Sequence, residues 1–450
     1  MSLQRPAVAP PGPWAFPAAS SDRTLPNGLR VVTYDIPGQY VITVSLVVPL
    51  PLTAEPREVE GVAALMSQLL DEGTTRHSAE EYAALLERYG IAFSAGVNDA
   101  SLLVDVDVPL RNLGTALDLL AEALGEAVFP EDEVRRLRTA RLAEIEQERA
   151  SAPHRAARQF IATLWDPQER ASRPTAGAAA TVAAITRDHL VEFHTTEVGP
   201  RGASLVVAGA LGGVDLEALL DRSLARWESA GAPTSPDSLA PRLAPDAARV
   251  VLVDRPGSVQ SEVTLGWSGP DRHVAGGWAP YPVIGFLLGG APNARIDAVL
   301  REEKGYTYGI RSGVRARRVG GLFLTSGSVR ADATVESLRI LTELLDPAAV
   351  AFTEDEVRSG IDFIAGTAPG RFATADAIAD EASGLLMDGL DLDFTTRTRE
   401  DTLALTPDRL NAVYATLAPS RWCVVVVGDA TAYADQVSAL GIGDVEVVPA

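Results

Sequence analysis

The segment Gly61–Thr75 reads GVAALMSQLLDEGTT, and the interpretation of the whole chain depends on it. Its larger apolar residues recur at helical spacing: Val62, Leu65, Met66, Leu69 and Leu70. This spacing places them on one face of a helix, and Gly73 supplies the residue type that commonly ends one. The segment therefore predicts an amphipathic helix of about three turns.

The frame of this segment, G-V-A-x-L-x-x-x-L-L-x-x-G-T, resembles the signature helix of the insulinase- and pitrilysin-type zinc peptidases, the inverzincins, which include the mitochondrial processing peptidases. Those enzymes carry H-x-x-E-H on this helix, with two zinc-binding histidines and a glutamate that activates water. The resemblance places the histidine positions at Ala64 and Gln68, and the glutamate position at Ser67. None of these three residues can do that chemistry. The chain resembles a member of the family that has lost its zinc site.

The resemblance also implies a distal zinc ligand, a glutamate on a later helix. Glu144, in the segment RLAEIEQE, has the matching residue type and position. Without the two imidazoles it has nothing to coordinate, so a solvated or ion-paired helix residue is the alternative interpretation. We therefore expect no metal on this chain, and the resemblance implies zinc in a partner subunit.

Length and charge restrict the classes of protein to consider. At 450 residues the chain is too long for a single core and predicts two or more domains. Its formal net charge of -21 would repel nucleic acid and anionic lipid, which argues against both as partners. No stretch approaches the length of a membrane-spanning helix, and the proline-rich N terminus lacks the apolar segment of a signal peptide. We expect no membrane association and a cytoplasmic protein.

Two separate motifs occur twice at nearly the same offset. F-P-E-D-E-V-R at Phe129–Arg135 recurs as F-T-E-D-E-V-R at Phe352–Arg358. T-R-D-H-L followed by S-L-V-V-A-G, within Thr186–Gly209, recurs as T-P-D-R-L followed by C-V-V-V-V-G, within Thr406–Gly428. Both halves mix strand and helix patterns, so the repeats predict a tandem duplication of an α+β domain.

Composition sets the predicted boundaries. Residues 1–22 are proline-rich, and we predict that they are disordered or loosely packed. A first half over 23–228 contains the altered zinc-site helix. Serine, proline and alanine dominate 229–247, which indicates a linker, and a second half follows over 248–450. The resemblance implies that two such chains pair into a clam-shell around a peptide chamber.

The second half carries L-R-E-E-K-G-Y-T-Y, which resembles the L-R-E-x-x-G-L-x-Y motif of the family. The resemblance implies that Arg301 and Tyr308 reach toward the substrate carbonyl at the zinc. A guanidinium and a phenol both suit an acyl oxygen that gains charge in the transition state. The alternative is that Arg301 pairs with Asp297 one helical turn earlier and that Tyr308 packs at a strand start.

Two further segments are candidate substrate-binding sites. Gly289 and Gly290 precede a predicted helix, where backbone N–H groups can face a substrate carbonyl, although a plain turn is the commoner explanation. The resemblance also aligns Gly96–Val108, which contains Asn98, Ala100 and Ser101, with a strand whose edge pairs with the bound peptide. An internal sheet strand is the alternative for this region.

Two functions follow from these observations. The first is the non-zinc, Arg301- and Tyr308-bearing subunit of a heterodimeric zinc peptidase whose homologous partner carries H-x-x-E-H. Such a chain is inactive alone and contributes to peptide cleavage only in the assembled pair. The second is a catalytically inert scaffold or peptide-binding protein of the same fold.

Overall fold

A computed structural model describes residues 10–229, 231, 233–291, 293–349 and 351–449. The first half forms a six-stranded sheet with the order β1-β2-β6-β3-β5-β4. Its strands are β1 (Ser21–Thr24), β2 (Arg30–Asp35), β3 (Val41–Pro49), β4 (Ala92–Val97), β5 (Ser101–Pro109) and β6 (Ser204–Gly209). β2 and β6 are parallel, and the other neighbours in this sheet are antiparallel.

The second half repeats this arrangement in a sheet with the order β12-β7-β11-β8-β10-β9. Its strands are β7 (Arg249–Asp254), β8 (Gln260–Gly269), β9 (Arg311–Ala316), β10 (Gly321–Arg330), β11 (Cys423–Gly428) and β12 (Asp444–Pro449). The strands that end the repeated motifs, β6 and β11, hold the same place in the two sheets. The prediction of two homologous α+β halves is confirmed.

The helices also correspond between the halves. The first half contains α1 (Val62–Ser67), α2 (Ala79–Tyr89), α3 (Leu113–Glu126), α4 (Glu131–Ala150), α5 (Ala152–Leu164), α6 (Ala179–Ala184), α7 (Arg187–Glu197) and α8 (Leu216–Arg222). The second contains α9 (Pro280–Gly285), α10 (Arg295–Asp297), α11 (Thr334–Leu344), α12 (Glu354–Arg371), α13 (Ala375–Asp388), α14 (Phe394–Leu403), α15 (Pro407–Leu417) and α16 (Ala430–Ala439). Two π-helical turns, Phe286–Gly290 and Ala298–Glu303, extend α9 and α10.

One helix of each half packs on the sheet of the other half. α5 packs on β8 and β11 of the second sheet, where the ring of Phe160 lies against Gly266. In the reciprocal position, α13 packs on β3 and β6 of the first sheet through small residues such as Ala379 and Ala382. The halves therefore share their apolar cores and are not joined by residues 229–247 alone.

Residues 10–22, predicted to be disordered or loosely packed, are instead held against both halves. Phe16 is buried and packs edge-on against both Tyr34 and Phe372. The Arg399 guanidinium donates hydrogen bonds to the carbonyls of Gly12 and Trp14. Proline-rich composition suggested a loose segment, but these aromatic residues supply enough apolar surface to pack it. Residues 1–9 lie outside the described residues.

The prediction that no stretch approaches the length of a membrane-spanning helix is wrong for Pro280–Glu303, which is long and apolar enough, by length and composition alone, to cross a membrane. Of the most apolar 18-residue stretch within this segment, 65% is buried inside the protein. Leu288, Ile296 and Leu300 are completely buried in the core of the second half. This burial accounts for the apolar character of the segment.

We expect the free energy of unfolding to depend on pH because the imidazole of His194 on α7 is buried. Its buried Nε2 atom has no hydrogen-bond partner among the described residues, and burial lowers its pKa to about 4. In the unfolded chain the His194 imidazole takes up a proton near pH 6.5, whereas in the folded chain it does so only near pH 4. The contribution of the neutral imidazole to the free energy of unfolding is therefore complete above pH 6.5 and is lost as the pH falls toward 4. The shift corresponds to roughly 3 kcal/mol.

We expect His194→Gln to flatten the decline of the melting temperature between these two pH values. Thermal unfolding followed at several pH values tests this. An unchanged slope would show that other groups control the acid sensitivity.

Candidate functional site

Helix α1 is shorter than predicted and presents no metal-binding group at the histidine positions. It ends at Ser67 after six residues, and the chain continues through i→i+3 bonds from Leu69 to Met66 and from Glu72 to Leu69. The Ser67 hydroxyl donates to the Ala64 carbonyl at 2.8 Å, a local bond that competes with regular helix. Ala64 offers a methyl group and Gln68 an exposed amide.

The fourth position also has an ordinary structural role. Glu144 lies exposed on α4 and forms an ion pair with Arg141, with 3.1 Å between nitrogen and oxygen. Arg141 in turn donates to Glu148 at 2.6 Å. Across the described part of the chain, no group of three or more His, Cys, Asp or Glu residues is arranged to hold a metal ion. Ala64, Ser67 and Gln68 together do not supply the donors that zinc requires, so these residues do not fit a zinc ion on this chain.

This chemistry predicts the metal content of the purified chain. Expressed alone, it should contain far less than one zinc per chain and show no peptidase activity that a chelator removes. Elemental analysis after dialysis measures the first quantity directly. Tight binding of one zinc per chain would contradict our interpretation of Ala64 and Gln68.

A buried ion pair that the sequence analysis missed supports the start of α1. The Glu55 carboxylate accepts hydrogen bonds from the backbone N–H groups of Gly61 and Ala63, at 2.9 and 3.0 Å. Its other oxygen accepts from Arg170 at 2.8 Å. Burial raises the pKa of the Glu55 carboxyl, while Arg170 opposes that shift. The frame of the signature helix is thus kept in place although its metal-binding residues are absent.

Arg301 and Tyr308 lie at the surface, and neither has the structural role considered as the alternative. Arg301 is on the π-helical turn that extends α10; its side chain is 41% exposed and contacts Glu302 at 3.4 Å. It does not pair with Asp297, whose carboxylate instead binds Ile310 and Arg311. Tyr308 does not pack at a strand start, because it is 92% exposed.

The backbone on both sides of Tyr308 is firmly held. Before it, the Thr307 hydroxyl donates to the carbonyl of Ser328 on β10 at 2.6 Å. After it, Ile310 is completely buried and its N–H donates to Asp297 at 2.9 Å. Tyr308 is therefore an exposed phenol on a constrained backbone, an arrangement suited to contact with a partner molecule.

The structure gives the two glycines different surroundings. Gly289 is buried, and a Cβ added there would lie 2.6 Å from the Ser312 amide nitrogen on β9. Close packing against this strand therefore accounts for Gly289 without a substrate. Gly290 is exposed at the end of the π-helical turn Phe286–Gly290. Residue 292, which follows these glycines, lies outside the described residues.

The region Gly96–Val108 spans the end of the edge strand β4, the turn that follows it and most of the internal strand β5. The Asn98 side chain accepts hydrogen bonds from the N–H groups of Ala100 and Ser101, both at 2.9 Å, and closes the turn between β4 and β5. Ser101 begins β5, which pairs with β3 on one side and β4 on the other. The internal strand, given above as the alternative, therefore describes Ser101–Val108, whereas Asn98 and Ala100 lie in the turn. The sheet ends at β4, and α1 packs against that strand.

Comparison with known families agrees with this architecture. Residues 30–178 match the model described as Insulinase (Peptidase family M16), and residues 184–362 match the model described as Peptidase M16 inactive domain. The chain belongs to peptidase family M16. An uncharacterized zinc protease of Streptomyces coelicolor is 28% identical over 425 residues, covering 90% of this chain and 88% of that protein.

Several solved structures have the same fold. A structure described as a peptidase M16 inactive domain from Pseudomonas fluorescens superposes with a TM-score of 0.82 at 21% identity, covering 91% of this chain and 98% of that one. A chain of a structure described as Complex III2 from Candida albicans gives a TM-score of 0.74 at 12% identity, covering 93% of this chain and 99% of that one. At these identities the likeness concerns the fold.

Proposed function

We propose that this M16 chain is the non-zinc, substrate-binding subunit of a heterodimeric zinc metallopeptidase that cleaves peptides in an enclosed chamber. The observation that carries the proposal is Tyr308, an exposed phenol on a constrained backbone, close in sequence to the exposed guanidinium of Arg301. The first half lacks the residues for zinc, so the metal and the water-activating glutamate come from a homologous partner with H-x-x-E-H.

The two side chains suit a transition state of peptide cleavage. Attack on a peptide carbonyl moves negative charge onto its oxygen, and preorganised donors stabilise that charge. Arg301 offers several N–H donors with a permanent positive charge, and Tyr308 offers one O–H donor. Both donors belong to this chain, so the catalytic site is complete only after assembly with the zinc-bearing partner.

The edge of β4 supports the peptide-binding part of the proposal. Its sequence, AFSAGV over Ala92–Val97, has no charged residue or proline. Natural edge strands commonly carry such residues to prevent pairing with other chains, so an unblocked edge suits the addition of an extended peptide. A peptide paired with β4 would lie beside α1. This strand replaces Asn98, Ala100 and Ser101 as our proposed peptide-binding segment.

The second candidate is an inert scaffold or peptide-binding protein of the same fold. The residues at Ala64, Ser67 and Gln68 favour it, because they rule out the family's own chemistry on this chain. The exposure of Arg301 and Tyr308 argues against it, since neither residue is needed for packing.

A tagged pull-down from the source organism separates the two candidates. The subunit proposal expects a chain of similar size with H-x-x-E-H, recovered near one-to-one and identified by mass spectrometry. A pull-down without any such chain supports the scaffold, and Arg301 and Tyr308 would then be remnants.

A further inference from the structure

Asp297 connects the helical turn that carries Arg301 to the loop that carries Tyr308. It ends α10 directly before the π-helical turn and is completely buried. One carboxylate oxygen accepts the Ile310 N–H at 2.9 Å, and the other accepts from the Arg311 guanidinium at 2.8 Å. A buried carboxylate is costly without such partners, so both bonds hold the chain strongly.

The remaining contacts of the loop explain why Asp297 matters. Gly305, with a positive φ of 64°, donates to the Arg301 carbonyl, and Tyr306 donates to the Leu300 carbonyl, so both bonds close the end of the π-helical turn. Thr307 is bonded to β10. These bonds hold the loop before Tyr308. After Tyr308, the Gly309 N–H donates to the Thr307 hydroxyl oxygen at 3.0 Å, and Asp297 holds the chain one residue further on, at Ile310.

From this arrangement we infer that Asp297 is a positioning residue for Tyr308: it fixes the phenol relative to Arg301. The inference rests on the proposed function, because it concerns how this subunit contacts the substrate carbonyl. Asp297 does not touch the substrate itself. The bond to Ile310 sets the path of the backbone, and the Arg311 ion pair attaches the beginning of β9 to the same carboxylate.

A double-mutant cycle tests the inference in the assembled pair. Asp297→Ala, normalised to the folded and assembled fraction, should lower kcat by about tenfold or more with KM changed less than about threefold. In a Tyr308→Phe background the same substitution should cost less than about twofold, because the group that it positions has already been removed. Asp297→Asn retains an acceptor for the Ile310 N–H and should retain most of the turnover.

Glu122→Ala is the matched control in the first half. Glu122 is buried like Asp297 and also bonds two partners, Thr74 and His77. It should reduce thermal stability without changing the normalised kcat. If Asp297→Ala lowered kcat by the same factor in the wild-type chain and in the Tyr308→Phe chain, the inference would be overturned and Asp297 would be merely structural.

A second readout does not depend on peptidase activity. In the isolated chain, Asp297→Ala should accelerate amide hydrogen exchange across residues 308–311, whereas Glu122→Ala should not. Unchanged exchange there would overturn the inference. A wild-type assembly with no turnover, together with accelerated exchange, would count against the proposed function while retaining the link between Asp297 and the loop.

Discussion

Replacing Arg301 with alanine is expected to lower the turnover of the assembled peptidase by about 10²-fold, the usual cost of removing one transition-state donor. The expectation follows from its position: the Arg301 side chain is 41% exposed and forms an ion pair with Glu302, the next residue in the chain. Its loss removes a charged donor and leaves no buried partner unsatisfied. The effect should therefore appear in the kinetics and hardly at all in folding or assembly.

Arg358→Ala is the matched control for that experiment. Arg358 is also a surface arginine with a carboxylate partner, Glu354, on the repeated helix α12. Its replacement should leave turnover unchanged. Equal turnover of the Arg301→Ala and Arg358→Ala assemblies would remove Arg301 from the site.

Phe160→Ala should destabilise the whole chain by about 3–5 kcal/mol. Phe160 belongs to the first half in sequence, yet its buried ring contacts Gly266 in the second sheet. Its truncation leaves a cavity in a core that both halves share. Denaturant unfolding should therefore show one transition that shifts as a unit, followed by both intrinsic fluorescence and circular dichroism.

Tyr308→Ala supplies the contrast for stability. Because Tyr308 is 92% exposed, its truncation should leave the unfolding midpoint unchanged while reducing turnover of the assembled pair. If Phe160→Ala produced two separate transitions, with only one of them shifted, the halves would be independent units and the exchange of α5 and α13 would not couple them.

The duplication could be predicted from the sequence because each repeated motif is a short, continuous segment of the chain. The motif F-x-E-D-E-V-R begins α4 and α12, and the apolar runs after Thr186 and Thr406 become the equivalent strands β6 and β11. The exchange of helices could not be predicted in this way. The apolar face of α5 fits either sheet, and periodicity identifies a buried face without identifying the surface that buries it.

The candidate site shows the same limit. The zinc positions could be judged from residue type alone, because Ala64 and Gln68 cannot replace histidines. The partner of Asp297 could not be predicted from residue type. Helical spacing favoured Arg301, whereas the fold brings Ile310 and Arg311 to the carboxylate. The choice between an edge strand and an internal strand stayed open because alternation identifies strands such as β4 and β5 but does not give their order in the sheet.

The most direct test of the subunit proposal is a mixing experiment with a fluorogenic peptide. Turnover is measured for this chain alone, for the H-x-x-E-H partner alone, and for the two together. The proposal predicts turnover in the mixture, rising to a plateau near one-to-one, and almost none from either chain alone. Full activity of the partner alone, unchanged when this chain is added, would contradict it.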